Sequence, residues 1–441
     1  MMKRFIHLAA FSVLIVGLMF AQSSGDPWID SIKSQYNGTT ITIAATGHTS
    51  TDSIRAMEKD FTNATGIKIR WDIMEEGLLR QKLLMEHQSK TGTYDVLMID
   101  AFNLAEYAPS GVAISLKPFI ENTKLTPSWY DYADISSAFR NGVGSYNGTI
   151  YGIPIDGETR FLGYRKDLFD KYGKQPPKTL DEMLQLAKFF NGKEPGLYGI
   201  AMRAQRGIHF ASGWMTLMYS LGGEFLDQKT WKPTCNTPGT IYSLKYYVDL
   251  LKNAPPDVGV YTHEEAISAF MAGKTAMWLD ATAIAPWILD KTKSKVADKV
   301  AFAPPPAGPA GNFAALAGWS LGISSDSNKK QQEAAWAFIV WMTSKKNAKT
   351  YVLGGGTPVR QSLLNDPDVL KVHPYLPVML ESLADADNLV KTGRNWIPAN
   401  PKAIKVLEVA GEFGSRVLAG ELTAENAMNQ AQKQCEAIMS E

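Results

Sequence analysis

The sequence predicts an α/β protein of two domains, and three observations carry that reading. Strand-like and helix-like segments alternate through residues 40–100. An extended stretch at residues 159–164 is followed by a fresh series of helices. The 441 residues, 45% of them apolar, can bury more than one large core, and length alone suggests two domains, with three within range.

The first elements follow from periodicity. Residues 40–46 read as a strand, and Ile54, Met57 and Phe61 then recur at helical spacing. Residues 67–73 form a second strand, Leu79, Leu83 and Leu84 mark a second helix, and Asp95-Val96-Leu97-Met98-Ile99-Asp100 is a third strand. Such a βαβαβ run builds a mostly parallel sheet with helices on its faces, and ligands meet it at the loops after the strand carboxyl ends. Here those loops are polar: Thr46-Gly47-His48-Thr49-Ser50, then Glu75-Glu76, then Asp100-Ala101-Phe102-Asn103. Carboxylates, hydroxyls and an amide on one edge suit a hydroxyl-rich ligand. Ser50, Asp52, Glu75, Glu76 and Asn103 are also suited to helix capping, and both roles stay open.

Next comes the crossing. Thr159, Phe161 and Gly163 alternate with Arg160, Leu162 and Tyr164, as in a strand with two different faces. It is expected to enter from a turn at Asp156-Gly157 and to leave into a short helix ended by Gly173. Pro176-Pro177 then forces an extended approach, and Thr179 with Glu182 forms a capping box for a helix over 180–190. An ordinary mid-domain strand and helix would read the same way, so these residues alone leave the handover between domains undecided. Further helices are expected at 214–221, 241–251 and 264–271. After the loop Pro304-Pro305-Pro306-Ala307-Gly308-Pro309-Ala310-Gly311, residues 319–323 read as a strand and 332–342 as a helix. Gly354-Gly355-Gly356-Thr357-Pro358 breaks the chain again.

Charge excludes one class of function. The formal balance is +1, with acidic and basic residues interleaved, which gives no electrostatic support for binding nucleic acid or an anionic membrane. Lys3 and Arg4 precede the apolar run 5–20 and then Ala21-Gln22-Ser23-Ser24-Gly25, the build of an export signal over 1–21 cleaved after Ala21. No cysteine lies near that point, so a lipid-anchored form is not expected, and the mature protein should be soluble and periplasmic. The two cysteines, Cys235 and Cys435, would then meet an oxidising compartment, where a bridge and a pair of free thiols are both open.

Catalytic motifs fail on context. Gly318-Trp319-Ser320-Leu321-Gly322 matches the serine-hydrolase pattern, but a helix should follow the serine and the extended pattern continues instead. Gly273-Lys274-Thr275 resembles the tail of a phosphate loop without its first glycine. Six histidines are scattered and no Cys-x-x-Cys exists, so neither a transition-metal site nor a cofactor is expected. Aromatics are the better clue. Of eleven tryptophans, Trp336 and Trp341 fall on a helix and read as core. Trp214, Trp278, Trp319 and Trp396 sit near Gly, Asp or Asn, where an indole could stack on the C–H face of a sugar or polyol; plain packing explains each as well.

Assembled in order, these segments resemble the carbohydrate-binding extracellular solute-binding proteins of ABC importers, the group that includes maltose-binding proteins. The resemblance covers nearly the whole mature chain and rests on Tyr94-Asp95-Val96, Tyr151-Gly152-Ile153-Pro154, Tyr164-Arg165-Lys166-Asp167-Leu168, Pro177-Lys178-Thr179-Leu180-Asp181-Glu182, Gly222-Gly223, Phe270-Met271-Ala272-Gly273-Lys274-Thr275-Ala276-Met277 and Ala334-Ala335-Trp336-Ala337-Phe338-Ile339. Similarity to the mannitol- and sorbitol-binding members rests on Glu75-Glu76-Gly77-Leu78-Leu79-Arg80-Gln81, Tyr198-Gly199-Ile200-Ala201-Met202-Arg203, Met277-Trp278-Leu279-Asp280-Ala281-Thr282 and Val296-Ala297-Asp298-Lys299-Val300, together with the Tyr164 segment. Many relatives carry Tyr-Asn where this chain has Tyr164-Arg165, which adds a candidate hydroxyl-binding guanidinium and weakens transfer of a maltose-like specificity.

The resemblance implies two α/β lobes, each a mostly parallel sheet flanked by helices, joined by a multi-strand hinge. One lobe would comprise 28–158 and 313–355, the other 159–312 and 356–441, with later crossings near 311–319 and 354–358. It further implies a monomer without catalytic activity that closes on a sugar or sugar alcohol and docks on the membrane permease. By analogy Glu158 matches a sugar-binding carboxylate. The full set of expected ligand contacts is His48, Glu75, Glu76, Arg80, Asp100, Asn103, Asp156, Glu158, Arg165, Arg203, Trp214, Trp278, Asp280, Trp319 and Trp396. Two rival readings stay in view. Glu75, Glu76, Asp100, Asp156, Glu158 and Asp280 could form an acidic cleft for a polyamine or other cation, and Ser320 could serve an envelope hydrolase.

Overall fold

Eleven strands form two main sheets and a small hairpin in the computed structural model, which describes residues 25–441. The expected export signal and its cleavage point fall within 1–24, outside the described residues. β1 (Thr40–Thr46), β2 (Lys68–Met74) and β3 (Val96–Asp100) pair in parallel, with β1 in the middle. All of β1 but its first residue is buried, because helices cover both faces, whereas the edge strand β2 stays partly exposed. β4 (Ser145–Tyr146) and β5 (Thr149–Ile150) form the hairpin, closed by Asn147 and Gly148 at positive φ.

β6 (Gly152–Glu158) and β7 (Arg160–Arg165) are separated by Thr159 alone. Asp156-Gly157 is therefore not the expected turn: it lies within β6, paired with Trp319 and Gly318 of β11 (Ala317–Ile323). Gly157 is needed there because the Phe139 ring occupies the space of a side chain, 2.4 Å from where a Cβ would stand. β8 (Tyr198–Ala201), β9 (Thr275–Ala281) and β10 (Val300–Ala303) complete the strands.

The first sheet runs β2-β1-β3-β11-β6 and the second β10-β7-β9-β8. One strand in each runs against its fellows, β11 in the first and β7 in the second. Both are the first strand after the chain passes between lobes, at Thr159 and again through 304–316. Such a strand starts at the interface and runs away from it, while the others arrive there. The carboxyl ends of β1, β3, β6, β8 and β9 and the first residues of β7 and β11 thus converge on one cleft. Beyond the Gly354–Gly356 stretch the chain remains on the first lobe, where Arg360 donates to the carbonyls of Tyr130 and Thr343 and His373 bonds that of Val352. It reaches the second sheet at Tyr375, against Phe161 and Phe302, later than the glycine cluster had indicated.

Local signals hold where chemistry is local. Thr179 and Glu182 make the reciprocal capping box of the helix Leu180–Phe190. Ser320 is buried in mid-strand with its hydroxyl donating to Ile99 O, so the hydrolase elbow does not form. Among the described residues no helix is long and apolar enough to cross a membrane.

Candidate functional site

The cleft is built from strand ends. From the first lobe come His48 after β1, Glu76 and Arg80 on the helix Glu76–Ser89, Asp100 and Phe102 at the end of β3, Glu158 of β6, and Gly318 and Trp319 of β11. From the second come Arg160 of β7, Arg203 after β8, and His263 at the start of the helix His263–Met271. The cavity they enclose measures about 20 Å³, room for little more than a water molecule. Gly318 adopts φ +144° where β11 approaches Asp156 O, and any Cβ there would stand 2.1 Å from that oxygen. The strand irregularity just after it, between Trp319 and Ser320, sets the indole at the cavity wall.

Ion pairs organise the floor. Asp280 accepts from Arg203 Nε (2.7 Å) and Nη2 (3.1 Å) and from the Ala281 N–H (2.8 Å), with Arg160 Nε at 3.4 Å. Burial would raise this carboxyl, but Arg203 and Arg160 outweigh it and hold it well below the usual range. Arg160 Nη1 donates to Glu158 Oε1 (3.0 Å), and its guanidinium lies 5.0 Å over the Trp396 ring. Arg80 bridges Glu76 and Asp100 while lying over Phe102. Arg203 also reaches across to the first lobe, Nη1 to Glu76 Oε1 at 3.4 Å, and at the cleft edge Lys293 meets Asp52 at 3.2 Å. Glu76, like Asp280, is held well below the ordinary carboxylate range despite burial, by Arg80 and Arg203.

A second cluster lies beside this floor. Burial raises Glu158 even with Arg160 adjacent, and burial together with Glu158 pushes Asp156 well above the ordinary range. Among the described residues neither oxygen of Asp156 accepts a hydrogen bond of ordinary geometry, though the Thr357 hydroxyl lies close enough to oppose the rise, and Glu158 Oε2 and His263 Nε2 are also without partners. His48 brings a ring nitrogen within 4.8 Å of both carboxylates, a convergence of β1 and β6 that no histidine spacing announced. Burial, then His263, lowers its pKa to about 3, so the ring is neutral. His48 Nδ1 accepts from Ser50 N (3.2 Å), which leaves Nε2 to carry the proton as a donor.

The fold thus gathers His48, Glu76, Arg80, Asp100, Glu158, Arg203 and Trp319 around one cavity, with Asp280 directly behind Arg203. Asp156 sits within β6, outside the cavity lining. Glu75 caps its helix by accepting from Leu78 N and meets His209 of the other lobe at 3.4 Å. Asn103 donates its backbone N–H to Asp100 Oδ1 and its amide to Glu106. Both lie along the neighbouring groove.

Four expected contacts fall away from the cavity. Arg165 ends β7, about 17 Å of strand from Arg160, and is spent on a two-bond pair with Asp167. Trp214 is fully buried, bonded to Ser243 and packed on Phe210 and Phe225. Trp278 is fully buried between Phe161 and Phe270. Neither indole has a free face for a solute. Trp396 is also buried, its Nε1 on Met215 O; it backs the site by carrying Arg160. Sequence reasoning missed Arg160 and His263 as site residues. Arg160 had a signal, as the first strand residue after the crossing; His263 had none beyond the helix start at Thr262.

The acidic groups of the cation-binding reading are largely committed. Glu76, Asp100, Glu158 and Asp280 are each paired with Arg80, Arg160 or Arg203. A cleft of paired charges at strand ends between two α/β lobes, with donors and acceptors left over, is the architecture of a solute trap. Residues 47–349 match the model of the bacterial extracellular solute-binding proteins. The chain belongs to that family. Solute-binding proteins of this kind capture a solute and do not transform it. The chain is 28% identical over 410 residues to the mannitol-binding protein of Pseudomonas aeruginosa, an alignment covering 89% of this chain and 92% of the relative. Among solved structures it resembles a solute-binding protein of Agrobacterium radiobacter in complex with ribitol (TM-score 0.85, 28% identity, covering 91% of this chain and 99% of that one). It also resembles one of Agrobacterium vitis with bound D-mannitol (TM-score 0.81, 30% identity, 91% and 99%).

Proposed function

We propose that this solute-binding protein captures a neutral, acyclic sugar alcohol between its lobes outside the cytoplasm, in the periplasm, and hands it to the membrane permease of an ABC importer. The observation that carries the reading is the pairing of all three cleft guanidiniums with carboxylates, which leaves no free cation for an anionic solute, while burial raises the fourth carboxyl, Glu158, toward its neutral form. A guanidinium and a carboxylate side by side offer donors and acceptors to successive hydroxyls of one chain. Glu158 Oε2 and His263 Nε2 supply an unused acceptor and an unused ring nitrogen, and the Trp319 ring a wall for C–H groups. The mannitol and ribitol named for relatives have this chemistry.

Mechanism follows from the hinge. A cavity of about 20 Å³ cannot admit a polyol until the lobes part, which breaks Glu76–Arg203 and Glu75–His209 and flexes the chain at Thr159. Solute bound to both halves then replaces these contacts and favours closure, and the closed pair of lobes presents one surface to the permease. Isothermal titration against mannitol, sorbitol, ribitol, glucose, maltose and spermidine tests the proposal. Micromolar or tighter binding of one or more alditols is expected, with weaker or no response to the pyranosides and none to spermidine. A preference for spermidine, or silence across the alditols, overturns it.

A further inference from the structure

Cys235 and Cys435, 200 residues apart in sequence, meet in the second lobe with their Sγ atoms 3.7 Å apart. Both side chains are fully buried. Cys235 lies just before the helix Pro238–Leu251, and Cys435 lies on the last helix, Ala424–Ser440. Among the described residues the other hydrogen-bonding neighbours are two carbonyls, Phe225 O and Val406 O, each 3.9 Å away. Contact with Cys435, then burial, raises the Cys235 thiol well above its ordinary range, which disfavours a role as nucleophile or metal ligand. The nearby Glu436 carboxylate further disfavours a thiolate, and two facing buried sulfurs are placed to bond to each other.

We propose that in the exported protein Cys235 and Cys435 form a disulfide that fastens the C-terminal helix to the second lobe. Each thiol gives up one proton and one electron, and the S–S bond closes. The electron pair passes to the disulfide of an envelope thiol–disulfide oxidoreductase: one cysteine forms a mixed disulfide, the other attacks it, and the oxidoreductase leaves as its dithiol. Because both sulfurs are buried in the folded protein, exchange precedes docking of the last helix.

The test uses the full chain exported to the periplasm, purified without reductant, unfolded in guanidinium and treated with iodoacetamide before mass measurement. The expected result is no alkylation and a mass two hydrogens below the reduced chain, with a linked peptide pair carrying Cys235 and Cys435. Reduction should expose both thiols and lower Tm by on the order of 5 °C. The C435S variant should melt with the reduced wild type and bind solute with unchanged affinity. Alkylation of both cysteines without prior reduction, or disulfide-linked dimers on a non-reducing gel, overturns the proposal.

Discussion

The guanidinium of Arg203 grips the carboxylate of Asp280 through two bonds, Nε to Oδ2 at 2.7 Å and Nη2 to Oδ1 at 3.1 Å, across 77 residues of sequence. This pair orients an arginine that also reaches the other lobe, at Glu76. Asp280→Asn would leave Arg203 and Arg160 buried beside a neutral amide. The expected cost is about 3–5 kcal/mol of stability, with solute affinity reduced at least tenfold; urea unfolding and titration calorimetry read the two. The pH dependence has a definite sign. The folded state holds Asp280 well below its unfolded value, so its contribution is full above the unfolded carboxylate pKa, about 4, and is lost as pH falls through the depressed folded value. The variant should lack that acid-side loss.

Asp156 has the opposite sign. Its folded carboxyl is raised by burial and by Glu158, so the native state keeps a proton that the unfolded chain releases. Its favourable term is full below the unfolded pKa and shrinks as pH climbs through the folded one. Asp156→Asn fixes the neutral form and should flatten that decline, seen as a urea midpoint that changes less from pH 5 to pH 8 than in the wild type. A variant whose midpoint falls as steeply as the wild type would contradict a protonated Asp156.

Two tryptophans separate contact from packing. Trp319→Ala removes a cavity wall and should weaken polyol binding about tenfold or more at a modest stability cost. Trp278→Ala empties a site between two phenylalanine rings and should cost roughly 3–5 kcal/mol, while the fraction that remains folded binds nearly as well. Calorimetry on the folded fraction beside thermal unfolding distinguishes the two outcomes.

How much of this was legible in the sequence follows the range of each interaction. The first three strands, the capping box at Thr179 and the polar strand-end loops depend on neighbours a few residues away, and they stand where periodicity and cap chemistry put them. Glu76 and Arg80 are four apart on one helix and could pair from spacing alone. Arg203 with Asp280, and His48 beside Glu158, depend on which strand ends the fold brings together, which spacing does not encode. Trp214, Trp278 and Trp396 fall away from the cavity for a different reason. Nearby Gly, Asp or Asn says little about exposure, whereas the continuous apolar run Ala276-Met277-Trp278-Leu279 marks a strand buried on both faces. The third passage was placed too early because glycines mark a break in the chain and not its destination.

Arg165 is the last point where register decides function. Its position in the Tyr164-Arg165-Lys166-Asp167 segment made it a candidate for solute contact, but β7 starts at the cleft and runs away from it, so Arg160 and not Arg165 faces the cavity. Arg165 instead donates Nε and Nη2 to the two oxygens of Asp167, at 2.7 and 2.6 Å, on the far side of the lobe. Asp167 is more than a third exposed, so water screens the pair. Arg165→Asn, which restores the Tyr-Asn pairing, should therefore change solute affinity by less than twofold and cost no more than about 1 kcal/mol. Arg160→Asn, five residues earlier, should abolish binding because it strips Glu158 and Asp280 of a shared partner. Titration of both variants with the preferred alditol checks the contrast. A tenfold loss in the Arg165 variant would mean that β7 presents its far end to the solute, against the register seen here.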